Sequence, residues 1–203
     1  MAVTREQFES GLSYDAYKRG MTRNQERFEA NERGVSVRSD DLAAFNRLPK
    51  PVNVLVIGED WCGDVIANMP IIGRLASESG KLNLRVFERD KHPELMDQYL
   101  NQGKYKSIPV FVFFDDDFRE IGRFIERPAS VTELRAKKQR EIHAAHPEFG
   151  EVGAPLDQLP ENVRTELATL TAKMREDMVP FANQEVIREL REIVERVPAR
   201  TGG

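Results

Sequence analysis

Cys62 is the only cysteine in 203 residues, and it stands in the run Trp61-Cys62-Gly63-Asp64-Val65. The thiolate is the nucleophilic form of that side chain, and a helix N-terminus stabilises it through unpaired backbone N–H groups and the helix dipole. An apolar run, Val52 to Ile57, precedes the cysteine and a segment of helical spacing follows it, so the sulfur falls where a strand hands over to a helix. Local charge pulls the other way: Asp64, Glu59 and Asp60 disfavour a thiolate by like-charge repulsion. One thiol cannot close an intramolecular disulfide, so any exchange begun at Cys62 must be completed by a thiol from outside.

The remaining chemistry-bearing residues are better explained by structure. Asp115, Asp116 and Asp117 lie between two strand-like runs, where turn chemistry accounts for them without a cation. His143 and His146 are three apart on a helix and could face one ion, but two ligands are too few for zinc. His92, just before Pro93, reads as a loop residue. The expectation is no metal and no cofactor, with a low-molecular-weight thiol as the one co-substrate to look for.

Several elements must position the cysteine. Thr4 and Gln7 make a capping-box pattern ahead of Phe8 and Leu12, and Ser13 caps a second helix in which Tyr14, Tyr17, Met21 and Phe28 share a face as far as Gly34. This aromatic stripe reads as core packing. Gly34 to Arg38 is the only candidate for an early strand, and Ser39 caps a short helix carrying Leu42 and Phe45. Val52 to Ile57 is the central strand. The helix after Cys62 presents Val65, Ile66, Met69, Ile72 and Leu75, with Pro70 inside it expected to kink it. Leu82 to Phe87 alternates as a strand should, Pro93 to Leu100 reads as a helix ended by Gly103, and Val110–Phe114 with Phe118–Ile125 form a hairpin.

A helix follows from Pro128 and Ser130 to about His146. Beyond Gly150, Leu159, Val163, Leu167, Leu170, Met174 and Met178 form one helical stripe, and Val186, Leu190, Ile193 and Val197 another, with Pro180 and Asn183 between them. These stripes must be covered, by the core or by a second subunit in a homodimer. The end, Ala199 to Gly203, is expected to fray.

The formal net charge is −4, and the basic run Arg135, Lys137, Lys138 and Arg140 has acidic residues around it, so no nucleic-acid partner is expected. Met1 to Gly11 is polar and no apolar run approaches the length of a membrane helix, so the reading is a cytoplasmic protein without a secretory signal or membrane partner.

The stretch around Cys62 resembles the active-site loop of thioredoxin-like proteins, which reads Trp-Cys-Gly-Pro-Cys after a central strand. Here Asp64 replaces the proline and Val65 the second cysteine. The variant Glu59-Asp60-Trp61-Cys62-Gly63-Asp64 looks like a bacterial branch of the superfamily that lacks the resolving cysteine. A second match is Ser107-Ile108-Pro109 before a strand, where the superfamily carries a cis-proline facing the cysteine.

The resemblance implies an α/β thioredoxin-like fold, a central mixed sheet flanked by helices, with N-terminal helices and a C-terminal helical hairpin. The implied divisions are 1–50, helices packing on the core; 51–149, the thioredoxin-like core; and 150–203, the extension. It further implies Cys62 as the reacting residue, with Trp61, Gly63, Asp64, Ile108 and Pro109 contacting substrate, whereas glycine's own chemistry makes backbone geometry the plainer reading of Gly63. The substrates would be protein or small-molecule disulfides. Thioredoxins also bear a buried acid six positions before the first cysteine, and Val56 stands there instead. Two functions follow: monothiol thiol–disulfide exchange through Cys62, resolved by an external thiol, or a non-catalytic module that binds a peptide in the groove between Trp61 and Pro109. Peroxiredoxin and monothiol-glutaredoxin patterns fit less well, because Glu59 stands where the first has threonine and Asp64-Val65 where the second has Phe-Ser.

Overall fold

The computed structural model describes residues 3–197, so the expected fraying of Ala199 to Gly203 lies outside the described residues. The chain divides into two compact units: one runs to Arg127 and resumes at Val186, and the other is Pro128–Glu185.

The first unit is built on five strands, β1 (Leu12–Ser13), β2 (Val52–Gly58), β3 (Leu82–Glu88), β4 (Val110–Phe114) and β5 (Glu120–Ile125), in the order β1-β3-β2-β4-β5. β2 pairs parallel to β3, from Val52 opposite Leu82 to Gly58 opposite Glu88, and antiparallel to β4, with Ile57 opposite Val110. The sheet is therefore mixed, and helices flank it in an α/β thioredoxin-like fold. β2 reads as an almost unbroken apolar run because it is buried nearly throughout, as a central strand covered on both faces must be.

The first strand is not Gly34 to Arg38 but the two residues Leu12 and Ser13, antiparallel to β3. Two residues show no alternation to read. Gly11 lets the backbone come close there, since a Cβ would stand 2.6 Å from the Phe87 ring.

Six helices belong to this part of the chain: α1 (Arg5–Glu9), α2 (Tyr14–Gly20), α3 (Gln25–Gly34), α4 (Ser39–Asn46), α5 (Gly63–Ser79) and α6 (Pro93–Met96). Thr4 and Ser13 cap α1 and α2, accepting from the N–H groups of Gln7 and Ala16. The single helix expected from Ser13 to Gly34 is two helices, broken at Met21 to Asn24, where Asn24 takes φ 55°. The apolar spacing continues across the break, which hides it. Ser39 is the first helical residue and not the cap, which is Arg38. α6 stops at Met96, and single turns carry the chain on toward Gly103.

Helix α9 (Val179–Val194) ends in the first unit, where Val186, Ile187, Leu190, Ile193 and Val194 join the core. Gly122 of β5 admits Ile193, whose Cγ2 would lie 3.1 Å from an added Cβ. Asp41, almost wholly buried in α4, accepts from Arg38 at 2.8 Å and from Arg191 of α9 at 3.0 Å. Pro180 lies in the first turn of α9, where proline is tolerated, and Asn183 lies within the helix, so the expected linker at these residues is absent.

The second unit contains α7 (Ala129–Ala145), two single-turn helices at Pro147–Phe149 and Leu156–Gln158, and α8 (Glu161–Asp177). Its apolar centre is Val131, Met174 and Met178, with Leu134, Ile142 and Ala182 against it. Pro128 caps α7, while Ser130 donates to Glu185. Among the described residues no helix is long and apolar enough to cross a membrane.

Candidate functional site

The carboxyl end of β2 delivers the loop Glu59 to Trp61, and Cys62 is the N-cap residue of α5, with φ −83° and ψ 121°. Its carbonyl accepts the first helical bond, from Ile66 N–H at 3.0 Å. Cys62 is a free cysteine and, as a residue, partly exposed. It donates to the carbonyl oxygen of Ile108 at 3.6 Å. The Ile108–Pro109 peptide bond is cis. The chain thus brings together Cys62 and Ile108-Pro109 from opposite ends of two adjacent antiparallel strands.

Each neighbour of the cysteine has a distinct task. Trp61 is 42% exposed, and the Arg89 guanidinium lies 4.7 Å over its ring. Gly63 has no positive φ, and a Cβ there would meet nothing within 4 Å, so backbone geometry does not require glycine at this position. Asp64 does not face the sulfur as a bare charge, because Arg127 donates to its carboxylate at 2.8 Å. Arg127 also pairs with Glu126. Val65, where a resolving cysteine would stand, is fully buried against Gly58, as is Val56 within the strand.

The two acidic residues before Trp61 are anchors. Glu59 is 8% exposed and accepts from Asp90 N–H at 2.8 Å. Burial raises its carboxyl above the usual range, with Asp90 and Glu88 adding to the rise, against lowering by the Asp90 N–H and Arg89. Asp60 accepts from Thr22 N–H at 2.7 Å, from the Thr22 hydroxyl at 3.1 Å and from Arg23 N–H at 2.9 Å. Asn24 donates to the Asp60 carbonyl at 2.8 Å. The break between α2 and α3 supplies these donors.

A second set of bonds steadies the opposite wall. Glu126, at φ 65°, donates its N–H to the Pro109 carbonyl at 2.7 Å. Asn68 of α5 donates to the Glu126 carbonyl at 2.8 Å, and Asn101 to its carboxylate at 3.0 Å. Tyr17 of α2 is 4% exposed, and its hydroxyl has no hydrogen-bond partner within the protein. Burial, then Asp60, Glu59, Glu88 and Cys62, push its phenol far above the ordinary range.

Glu126 and Arg127 are neighbours of the site that sequence reasoning did not single out, and Asp60, read there as a charge acting on the sulfur, is instead an anchor of the loop. Their partners lie tens of residues away, and no local spacing announces them. Only the adjacency of Asp60 to Trp61 was a signal.

The side candidates go elsewhere. Asp115 accepts from the N–H groups of Asp117 and Arg119, Arg119 bridges Asp115 and Asp117, and Asp116 pairs with Lys50. His143 bonds the Gly150 carbonyl at 2.8 Å, and His146 stacks on Phe149 at 4.7 Å. Among the described residues no three His, Cys, Asp or Glu side chains group so as to hold a metal.

No curated protein matches the chain. A protein of unknown function from Pseudomonas aeruginosa is 19% identical, with TM-score 0.65, over 98% of this chain and 100% of that one. An HIV epitope scaffold is 18% identical, with TM-score 0.66, over 97% of this chain and 100% of its own. Both likenesses concern the fold alone. Residues 11–140 match the Thioredoxin family, which is more than half of the chain, and the chain belongs to that family.

Proposed function

We propose that the protein carries out monothiol thiol–disulfide exchange through Cys62 on protein or small-molecule disulfides. The observation that supports this most is a partly exposed cysteine at the N-cap position of a 17-residue helix, its sulfur 3.6 Å from the Ile108 carbonyl. On this reading the chain belongs with a bacterial branch in which aspartate follows the Trp-Cys-Gly triplet and no resolving cysteine is present.

The thiol first gives its proton to solvent. The thiolate then attacks one sulfur of the substrate, the substrate S–S bond breaks, and the other half leaves as a thiolate that takes a proton from water. Cys62 is left in a mixed disulfide. With Val65 buried and without sulfur, a low-molecular-weight thiolate attacks the substrate sulfur and Cys62 departs with the electron pair. No cofactor enters these steps. A reducing cytoplasm would supply the second thiol. Trp61, Gly63 and Asp64 on one side and Ile108 and Pro109 on the other are the groups that substrate would touch.

The experiment is exposure of the protein to oxidised glutathione and to a chromogenic aryl disulfide, followed by intact-mass measurement. One adduct per chain on Cys62, absent in Cys62→Ser and removed by added thiol, is the expected result; inertness to both disulfides rejects the proposal.

A binding module is the second reading, favoured by the exposed Trp61 ring and its Arg89 stack. It requires a partner retained by Cys62→Ser and lost by Trp61→Ala, whereas exchange requires covalent capture that Cys62→Ser abolishes.

A further inference from the structure

Two walls meet at Cys62, and one side chain ties them together. The first wall is the start of α5, where Cys62 is the N-cap and Asp64 lies in the first turn. The second is Ile108-Pro109, with the Ile108 carbonyl 3.6 Å from the sulfur. Arg127 reaches from the second to the first. Its Nη2 donates to the Asp64 carboxylate at 2.8 Å, and the two side chains are 19% and 21% exposed, so salt and water screen the pair weakly.

The backbone explains how Arg127 comes to be there. The β4–β5 ladder runs as far as Val110 opposite Ile125. Glu126 then takes φ 65°, a left-handed conformation that a residue with a Cβ holds only when its surroundings fix it. Its N–H donates to the Pro109 carbonyl at 2.7 Å, its carbonyl accepts from Asn68 of α5 at 2.8 Å, and its carboxylate accepts from Asn101 at 3.0 Å. The turn sends Arg127 out of the sheet and back to α5. A closed circuit results: Cys62 to Ile108, Pro109 to Glu126, Arg127 to Asp64, and Asp64 two residues from Cys62. Asn68 ties the same turn to α5 six residues from Cys62, roughly 9 Å along the helix. The tie beside the sulfur is the one that Arg127 makes.

Disulfide exchange makes a demand that this circuit meets. The Cys62 thiolate must approach one substrate sulfur along the axis of the S–S bond, and the other half leaves with the bonding electron pair. A substrate lying against the Ile108-Pro109 backbone is aligned only while that wall keeps a fixed offset from Sγ. Resting on the exchange reading of Cys62, we propose that Arg127 is a positioning residue for the exchange: its bond to Asp64 locks the Ile108-Pro109 wall at a set distance from the sulfur. Arg127 itself touches no reacting atom, and Asp64 serves as the anchor of the wall.

The test compares two reagents on the full chain. Oxidised glutathione carries peptide groups and must fit between the walls, whereas iodoacetamide needs only the sulfur. Both rates are taken at the alkaline plateau, where the sulfur is wholly ionised and any change in its acidity drops out. Arg127→Met is expected to slow formation of the glutathione adduct about tenfold, as a displaced wall would, and to change alkylation by less than about twofold. Asp64→Ala should do the same, and the double variant should be no slower than either single one, because all three remove one bond. Slowing of both reactions together, slowing of neither, or additive losses overturn the proposal while leaving exchange intact. An unmodified protein that forms no adduct rejects the exchange reading, and the positioning role with it. Should Arg127→Met not fold, amide exchange at Glu126 in Asp64→Ala decides: a loosened wall releases that N–H faster, and an unchanged rate overturns the proposal.

Discussion

At the scale of single residues, the acidic surroundings of Cys62 divide into charges that are neutralised and one that is hidden. Asp64 has Arg127 and Asp60 has the donors of Thr22 and Arg23, so neither acts on the sulfur as the bare charge that its place in the sequence suggests. Glu59 differs, for it is buried with one backbone N–H to hold it. Its carboxyl is raised in the folded state, first by burial, so the folded chain binds that proton more tightly than the unfolded one. The sign follows: Glu59 favours folding most below the ordinary glutamate range, and this contribution is lost as pH rises through its folded value. Glu59→Gln keeps an oxygen for the Asp90 N–H and removes the titration. Its stability relative to the unmodified protein should therefore improve as pH rises above the ordinary glutamate range, a trend that urea midpoints at several pH values would reveal or exclude. The cysteine, the proline and their neighbours were legible in the sequence because they are contiguous or carry a family pattern. Arg127, Tyr17 and the anchoring of Asp60 were not, since nothing near them in the chain marks a partner so far away.

Elements followed the same division. β2, β3, β4 and α5 are long enough for their periodicity to be read, and they sit where the apolar runs and the cap at Cys62 put them. What escaped was short or uninterrupted: a two-residue strand, and a break between α2 and α3 across which the apolar spacing carries on. α5 offers an internal comparison. At Gly73 a Cβ would fall 2.2 Å from the Tyr14 hydroxyl, whose oxygen is tied to Glu32 at 2.8 Å, whereas at Gly63 it would meet nothing. Gly73→Ala should lower stability by about 1–2 kcal/mol, overpacking outweighing the helix-propensity gain. Gly63→Ala should leave stability unchanged or raise it by a few tenths of a kcal/mol, roughly the exposed-helix gain. Denaturant melts of the pair settle whether close approach, and not glycine's flexibility, is what the helix needs at residue 73.

Over the whole molecule, a stretch nearly two hundred residues along the chain returns to complete the first unit. The last turns of α9 fill its core, and Arg191 reaches a carboxylate that is 1% exposed. Sequence shows the stripe on α9 but not what it covers, because the salt link spans 150 residues. Asp41→Ala should cost about 2 kcal/mol, less than a fully buried pair because both arginines retain contact with water. Faster amide exchange over residues 186–194 would accompany the loss; unchanged exchange there would show that packing alone secures the helix.

The bonds that Asp60 accepts from Thr22 and Arg23 bear on how this protein could be cut down for study. A fragment opened at the central strand would still hold Cys62, yet its supporting loop would lose three donors at once and leave a carboxylate stranded. The smallest portion that preserves the surroundings of Cys62 starts upstream of residue 22, so the leading helices belong with the loop they anchor.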